Sequence, residues 1–121
     1  MIAKDCEILV VDDIEENRYT LERRLKRDGY QHVTSTDGGA NALNLINEHQ
    51  FDLVLLDLMM PEISGLDVLK SLKNDPLNRH IPVIMVTAAD EVETAAECIS
   101  LGADDYITKP FNATLLRARV A

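Results

Sequence analysis

Short apolar runs alternate along the chain with segments whose apolar residues recur every three or four positions. Three runs, at 8–11, 53–56 and 81–86, are apolar on successive residues, while two shorter and more polar runs lie at 32–35 and 105–108. A strand that is apolar on both faces is typical of a parallel sheet covered by helices on both sides. The first three runs are therefore predicted to be central strands and the two polar runs to be edge strands.

Helical spacing between the strands predicts four helices. The residues that mark them are Leu21 with Leu25, then Ala42 with Leu45 and Ile46, Val68 with Leu69 and Leu72, and Val92 with Ala95, Ala96 and Ile99. Gly29 and Gly102 follow two of these segments, where glycine commonly ends a helix in the left-handed conformation. Asp13, with Glu16 three residues later, is predicted to begin the first helix, and Asn112 to cap a fifth one.

Five strands alternating with five helices predict an α/β fold with one doubly wound, flavodoxin-like parallel sheet in the order 2-1-3-4-5. The 121 residues suit a single domain spanning 1–121, with helices on both faces of the sheet. In such sheets, ligands bind at the carboxyl ends of the strands, where the chain switches direction between strands one and three. The residues at those ends are therefore the first candidates for function.

The amino-acid composition argues against some classes of binding partner. The net charge of −9 argues against a nucleic-acid or anionic-membrane surface, since both need clustered Lys and Arg, and it suits a cation better. No apolar run approaches the length of a membrane span. Cys6 and Cys98 each lie in an apolar pattern, so we expect two small buried hydrophobic residues in a reduced, cytoplasmic protein.

Polar residues follow four of the predicted strands at their carboxyl ends. They are Asp12 and Asp13 after the first strand, Asp57 after the third, Thr87 after the fourth and Lys109 after the fifth. Each alone has an ordinary explanation: a helix cap, a turn residue, a β-branched strand residue, or one of 12 basic residues. Parallel strands point the same way, however, so all of these side chains are predicted to meet in one crevice.

Three carboxylates that close together repel one another unless a cation neutralises them. Oxygen ligands without a nearby His or Cys favour Mg²⁺, for which Mn²⁺ could substitute, and disfavour zinc. Asp57 beside such an ion could attack a phosphoryl group and form an aspartyl phosphate, with Lys109 neutralising the phosphoryl oxygens and Thr87 donating a hydrogen bond. No strong base is placed to hydrolyse that product quickly, so we expect it to persist as a signal.

Four segments resemble the receiver domains of two-component response regulators over essentially the whole chain. They read ILVVDD at 8–13, DLMMP at 57–61 with Gly65 after it, PVIMVTA at 82–88 and GADDYITKPF at 102–111. The resemblance implies a phosphorylation-dependent signalling domain rather than an enzyme. Its phosphate would come from a histidine kinase or a phosphotransfer protein.

The resemblance also implies roles for single residues. Asp57 would be the phosphoacceptor, and it would hold Mg²⁺ with Asp13 and the carbonyl of Met59, while Asp12 acts directly or through water. The backbone of Leu58, Met59 and Ala88 would contact the phosphoryl group.

Two further implications concern the switch. Thr87 would turn toward the phosphoryl group while Tyr106 packs inward behind it, although Tyr106 could simply be an aromatic residue on an edge strand. A cis peptide is expected between Lys109 and Pro110.

The output face is expected to be the fourth helix, fifth strand and fifth helix, which would control a linked or separate output domain and could form a homodimer. Because the last predicted helix is short, the chain is expected to be cut from a longer protein. Segment 111–120, with Arg117 and Arg119, resembles receivers joined by a helical linker to an output domain such as a cyclase or kinase.

Three alternatives remain at this point. A nucleotide or flavin binder of the same fold would need a phosphate-cradling loop after the first strand, where this chain has Asp12 and Asp13. A metal-dependent phosphohydrolase would want an acid/base Asp two residues after its nucleophile, where this chain has Met59. A degenerate receiver that signals without phosphate is disfavoured by the complete set of acceptor residues.

Overall fold

Five parallel strands form one sheet in the computed structural model, which describes residues 4–109 and 113–120. The strands are β1 (Glu7–Val11), β2 (His32–Thr36), β3 (Leu53–Asp57), β4 (Val83–Thr87) and β5 (Asp105–Thr108). The helices are α1 (Glu15–Arg27), α2 (Gly39–Glu48), α3 (Gly65–Asn74), α4 (Val92–Ser100) and α5 (Ala113–Val120), and a 3₁₀ turn (Ala89–Glu91) precedes α4.

The strand order is β2-β1-β3-β4-β5, and every neighbouring pair is parallel, as predicted. All five residues of β3 and of β4 are buried, while β2 alternates between exposed and partly buried residues up to Thr36. This difference follows from position, because a central parallel strand is covered by helices on both faces. The sequence prediction of central and edge strands is confirmed.

The core consists of two layers, one on each face of the sheet. Alternate residues of β1 enter opposite layers: Leu9 and Val11 pack with α2, α3 and α4, while Ile8 and Val10 pack with α1 and α5. Cys98 lies in the first layer and Cys6 in the second, both as free and buried thiols. Burial is the largest cause that raises the pKa of each thiol, so both remain protonated, small apolar residues.

Two sequence predictions about where elements begin are wrong. The fourth strand was expected from Ile81 but begins at Val83, because Pro82 has no N–H to donate to the sheet. The first helix begins at Glu15 with Ile14 as its N-cap, so Asp13 does not cap it. The predicted cap Asn112 lies outside the described residues.

Both predicted glycine stops are confirmed. Gly29 has a φ of +102° and Gly102 a φ of +116°, which is the left-handed region that favours glycine. α3 begins with a feature that the sequence analysis did not predict. The Ser64 side chain accepts the Asp67 N–H and the Asp67 carboxylate accepts the Ser64 N–H, a reciprocal capping box.

Gly65 is predicted to be required for the close packing of α3 against the end of β3. A Cβ at this position would clash with the Asp57 carbonyl oxygen and lie 2.8 Å from the Leu58 Cα. We expect Gly65→Ala to lower the free energy of unfolding by about 1–3 kcal/mol, as overpacking usually does. Urea denaturation measures this loss. In Gly38→Ser the added Cβ meets no atom within 4 Å, so that control should stay within about 0.5 kcal/mol of wild type; equal stability of the two variants would contradict the prediction.

Candidate functional site

Three carboxylates converge at the carboxyl ends of β1 and β3. Asp12 and Asp13 follow β1 and Asp57 ends β3, and these strands are paired so that Val11 lies opposite Leu56. One carboxylate oxygen from each Asp lies within 4.8 Å of the other two. Asp12 and Asp57 are buried, at 1% and 3% exposure, and Asp13 is partly exposed. The convergence predicted from the strand ends is therefore present in the fold.

Lys109 brings a positive charge to the same cluster. Its Nζ lies 3.1 Å from Asp57 Oδ1 and 3.4 Å from Asp12 Oδ2. Its backbone N–H donates to the Thr87 carbonyl at 2.7 Å, which ties the residue after β5 to the end of β4. The ammonium thus lies between two buried carboxylates. Pro110, and with it the predicted cis peptide, lies outside the described residues.

Thr87 and Tyr106, the two residues of the switch prediction, lie at the end of β4 and within β5. Thr87 is fully buried, and its hydroxyl has no hydrogen-bond partner in the described part of the chain. Tyr106 lies opposite Met85 in the sheet, is partly buried and packs against the layer that contains α2, α3 and α4. A buried hydroxyl without a partner is unfavourable and therefore available to a new acceptor. The movement of these two residues stays a prediction.

Asp12 is held by three hydrogen bonds from its surroundings. Its Oδ1 accepts the Ile14 N–H at 2.9 Å, its N–H donates to the Thr36 carbonyl at 3.1 Å, and its own carbonyl accepts from Arg18 Nη1 at 2.8 Å. Arg18 was not among the predicted site residues. The signal was weak, because an arginine in the second turn of a helix is more often solvent-exposed.

The backbone donors expected to contact phosphate are already engaged. The Leu58 N–H donates to the Val86 carbonyl at 3.0 Å, and the Ala88 N–H donates to Glu91 Oε1 at 2.7 Å. Either amide could reach a phosphoryl oxygen only by sharing or losing its present partner. Met59 follows in the same loop, with 63% of its surface exposed, and its contacts with metal and phosphate stay predictions. Glu91 is a second residue that the sequence analysis missed.

The electrostatics of the cluster favour a bound cation. Burial, followed by the charge of Asp12, raises the pKa of Asp57 from 3.8 to about 6, although the hydrogen bond and the charge of Lys109 oppose this shift. Burial lowers the pKa of Lys109, but its hydrogen bond and ion pair with Asp57 outweigh that effect and raise it. One ammonium therefore does not fully offset the buried negative charge.

The donor set fits magnesium. Mg²⁺ prefers oxygen ligands and usually binds one or two carboxylates together with water and phosphate oxygens. The cluster of Asp12, Asp13 and Asp57 contains carboxylates alone, and it is the potential metal-binding group found among the described residues. A divalent cation there would also relieve the repulsion that raises the pKa of Asp57.

Comparison with known proteins identifies the family. The profile of the response regulator receiver domain matches residues 8–121. This chain belongs to that family. Its receiver fold is shared by the receiver domain of NtrX from Brucella abortus, with a TM-score of 0.88 and 32% identity over 94% of each chain.

Two sequence relatives show the range of proteins that contain such a receiver. The response regulator PleD of Caulobacter vibrioides is 43% identical over 113 residues, which cover 93% of this chain and 25% of that protein. Chemotaxis protein CheY-3 of Vibrio cholerae is 33% identical over 120 residues, which cover 99% of this chain and 92% of that protein. The chain thus spans about a quarter of PleD and nearly all of CheY-3.

Membership of the receiver family implies phosphorylation-dependent signalling in a two-component system. Receiver domains are generally signalling modules rather than enzymes. Within 4–109 and 113–120, none of the helices is long and apolar enough to cross a membrane.

The raised pKa of Asp57 predicts an unusual pH dependence of stability without metal. The folded chain binds this proton more tightly than the unfolded chain, so the contribution of Asp57 to the free energy of unfolding falls as pH rises from 3.8 to about 6. Asp57→Asn should therefore have a free energy of unfolding about 2 kcal/mol above that of wild type at about pH 7. At about pH 4 the two free energies should be nearly equal.

Urea denaturation in EDTA at the two pH values measures this difference. Asp90→Asn removes the same charge from an exposed position, and its free energy of unfolding should match that of wild type at both pH values. Saturating Mg²⁺ should reduce the difference in free energy of unfolding between Asp57→Asn and wild type. A difference between Asp57→Asn and wild type that does not change with pH would contradict the prediction.

Proposed function

We propose that this receiver is a phosphorylation switch in which Asp57 accepts a phosphoryl group from a histidine kinase or a phosphotransfer protein, with Mg²⁺ as cofactor and Mn²⁺ as a substitute. The observation that carries the proposal is the meeting of Asp57, Asp12, Asp13 and Lys109 at the carboxyl ends of β1, β3 and β5. Such a site contains a nucleophile, a place for a divalent cation and a fixed positive charge. Phosphoryl transfer requires little more, since the protein mainly positions reactants and stabilises charge.

The reaction exchanges one bond to phosphorus for another. An Asp57 carboxylate oxygen attacks phosphorus, and the bond from phosphorus to the donor nitrogen of a phosphohistidine breaks, leaving its electron pair on that nitrogen. When bound, Mg²⁺ would supply charge stabilisation to the phosphoryl oxygens. Asp12, Asp13, Asp57 and the carbonyl of Met59 are the groups proposed to hold it.

Lys109 and Thr87 are proposed to recognise the product. Lys109 Nζ already contacts Asp57 Oδ1 at 3.1 Å, so it can follow the negative charge onto a phosphoryl oxygen. Among the residues that the structure describes, none accepts from or donates to the Thr87 hydroxyl, so it has no such hydrogen bond to lose. Its rotation toward the phosphoryl group would leave space for Tyr106, which is only partly buried, to pack inward.

The output face is proposed to comprise α4, β5 and α5. β5 lies at the edge of the sheet next to β4, which ends at Thr87, so a change at Thr87 reaches this face directly. Arg119 Nε on α5 lies 2.8 Å from Asp105 Oδ2 on β5, which couples these two elements. This face would act on a linked or separate output domain or form a homodimer. Direct nucleic-acid binding is not proposed, and a cytoplasmic location stays a prediction.

A phosphohydrolase is less well supported by the site. In place of an acid/base Asp two residues after Asp57, the chain has the apolar side chain of Met59, which is 63% exposed. Without such a group, attack of water on the aspartyl phosphate is slow. A nucleotide-binding role is disfavoured by the buried charge of Asp12 at the end of β1, where phosphate would otherwise lie.

We predict that phosphate chemistry at this site requires both Asp57 and a divalent cation. Acetyl phosphate should phosphorylate wild type, and beryllofluoride should bind it, in the presence of Mg²⁺ and not in EDTA. Asp57→Asn should abolish both effects, because an amide is not a nucleophile and carries no charge. Mass spectrometry and ¹⁵N NMR measure the two effects.

Asp90→Asn is the matched control, since it removes an exposed carboxylate, and it should behave as wild type. Phosphorylation of Asp57→Asn at the wild-type rate would show that another residue is the acceptor.

Thr87 allows a separate test of the switch. Thr87→Val keeps the shape of the side chain and removes a buried hydroxyl that has no partner within 4–109 and 113–120, so unphosphorylated stability should be unchanged or rise by about 1 kcal/mol. In this variant, beryllofluoride should bind while the NMR signals of Tyr106 no longer shift. Thr87→Ser retains the hydroxyl and should retain the shift. A full Tyr106 response in Thr87→Val would show that Thr87 does not transmit the signal.

A further inference from the structure

The Ala88 amide points toward the side of the sheet that contains the acceptor. In a trans peptide, the carbonyl and the N–H of one unit point in opposite directions. The Thr87 carbonyl accepts the Lys109 N–H on the β5 side of β4, so the Ala88 N–H points away from β5. On that other side lies β3, which ends with Asp57 opposite Val86. The orientation follows from the sheet itself.

A carboxylate from this chain already occupies that amide. Glu91 Oε1 accepts the Ala88 N–H at 2.7 Å, and the Glu91 N–H donates back to the Ala88 carbonyl at 3.0 Å. The second of these bonds is a backbone bond of the 3₁₀ turn that leads into α4, and the first joins the Glu91 side chain to Ala88, the residue before that turn. The second oxygen, Glu91 Oε2, is buried and has no hydrogen-bond partner in the part of the chain that the structure describes. Only half of this carboxylate is therefore satisfied.

Helix capping alone explains part of this arrangement. Glu91 stands three residues after Ala88, which is the spacing of a capping box, but Ala88 has no hydroxyl to complete the reciprocal bond. A capping carboxylate gains a charge-assisted hydrogen bond, but its second oxygen, buried without a partner among the described residues, offsets part of that gain. The Ala88 amide is therefore held by a side-chain carboxylate that a second anion would have to displace.

We propose that the Glu91 carboxylate is an internal competitor for the phosphoryl group at Asp57, holding the Ala88 N–H until a phosphoryl oxygen replaces it. The inference rests on the proposed function, because it assumes that Asp57 is phosphorylated. A single N–H makes one strong hydrogen bond, so the two anions exclude each other, and their like charges add to the exclusion.

Displacement of Glu91 would link phosphorylation at Asp57 to the proposed output face of α4, β5 and α5. When the carboxylate leaves the Ala88 amide, the side-chain bond that ties Glu91 to the residue after β4 is lost. The beginning of α4 is then free to change its orientation. Glu91 is thus a positioning residue that sets the resistance of the unphosphorylated state to activation, in addition to the proposed roles of Thr87 and Tyr106.

Beryllofluoride binding in saturating Mg²⁺ tests the inference, with the affinity measured by ¹⁵N NMR titration. Glu91→Ala should bind about tenfold more tightly than wild type, since it removes a charge-assisted hydrogen bond that the ligand must otherwise break. Glu91→Gln retains a neutral acceptor of similar size and should show a smaller gain. The Ala88 amide signal should differ between free wild type and free Glu91→Ala and should coincide in their beryllofluoride complexes.

Glu93→Ala is the control for charge, because Glu93 is exposed in the first turn of α4. It should bind within about twofold of wild type. If Glu91→Ala only loses thermal stability and binds like Glu93→Ala, Glu91 is a helix cap and the inference is overturned, while the proposed function stands. If wild type itself does not bind beryllofluoride, the proposed function fails and the inference fails with it. Should Glu91→Ala not fold, the comparison of Glu91→Gln with Glu93→Gln decides.

Discussion

The packing of buried carboxylates against one another at the strand ends is the constraint on which the rest of this receiver depends. Asp12 and Asp57 are almost fully buried, and both contact the single ammonium of Lys109. The remaining imbalance is visible in the pKa of Asp57, raised to about 6. Because this repulsion remains in the folded chain, binding of a cation at the cluster is favourable, and Mg²⁺ suits its oxygen ligands.

Two buried polar groups near the end of β4 lack hydrogen-bond partners among the described residues, and we interpret both in the same way. The Thr87 hydroxyl and Glu91 Oε2 are both buried without partners in the described ranges, and they lie at the last residue of β4 and in the 3₁₀ turn that precedes α4. In a domain with only structural duties, such groups would be selected against, because each costs free energy. Both groups lie at or after the end of β4, which pairs with β3 and its proposed acceptor Asp57, and a phosphoryl group on Asp57 would change which contacts are favourable.

Several features of the site could be predicted from the sequence because they depend on strand direction alone. Once β1, β3, β4 and β5 are parallel, Asp12, Asp57, Thr87 and Lys109 must emerge at the same end of the sheet. Arg18 and Glu91 were missed for a related reason. Each binds a backbone atom, and apolar periodicity does not show where a particular carbonyl or N–H will point.

The order of elements, the central and edge strands and the acidic end of the sheet were predictable, because they follow from residue type and spacing. Packing in three dimensions was needed to learn that Ile14 rather than Asp13 caps α1, that Lys109 lies between Asp12 and Asp57, and that Glu91 holds the Ala88 amide. Whether a hydrogen bond or ion pair forms depends on differences of a few tenths of an ångström in the distance between groups from separate segments. These distances are set by how the helices and strands pack, and local sequence patterns do not contain them.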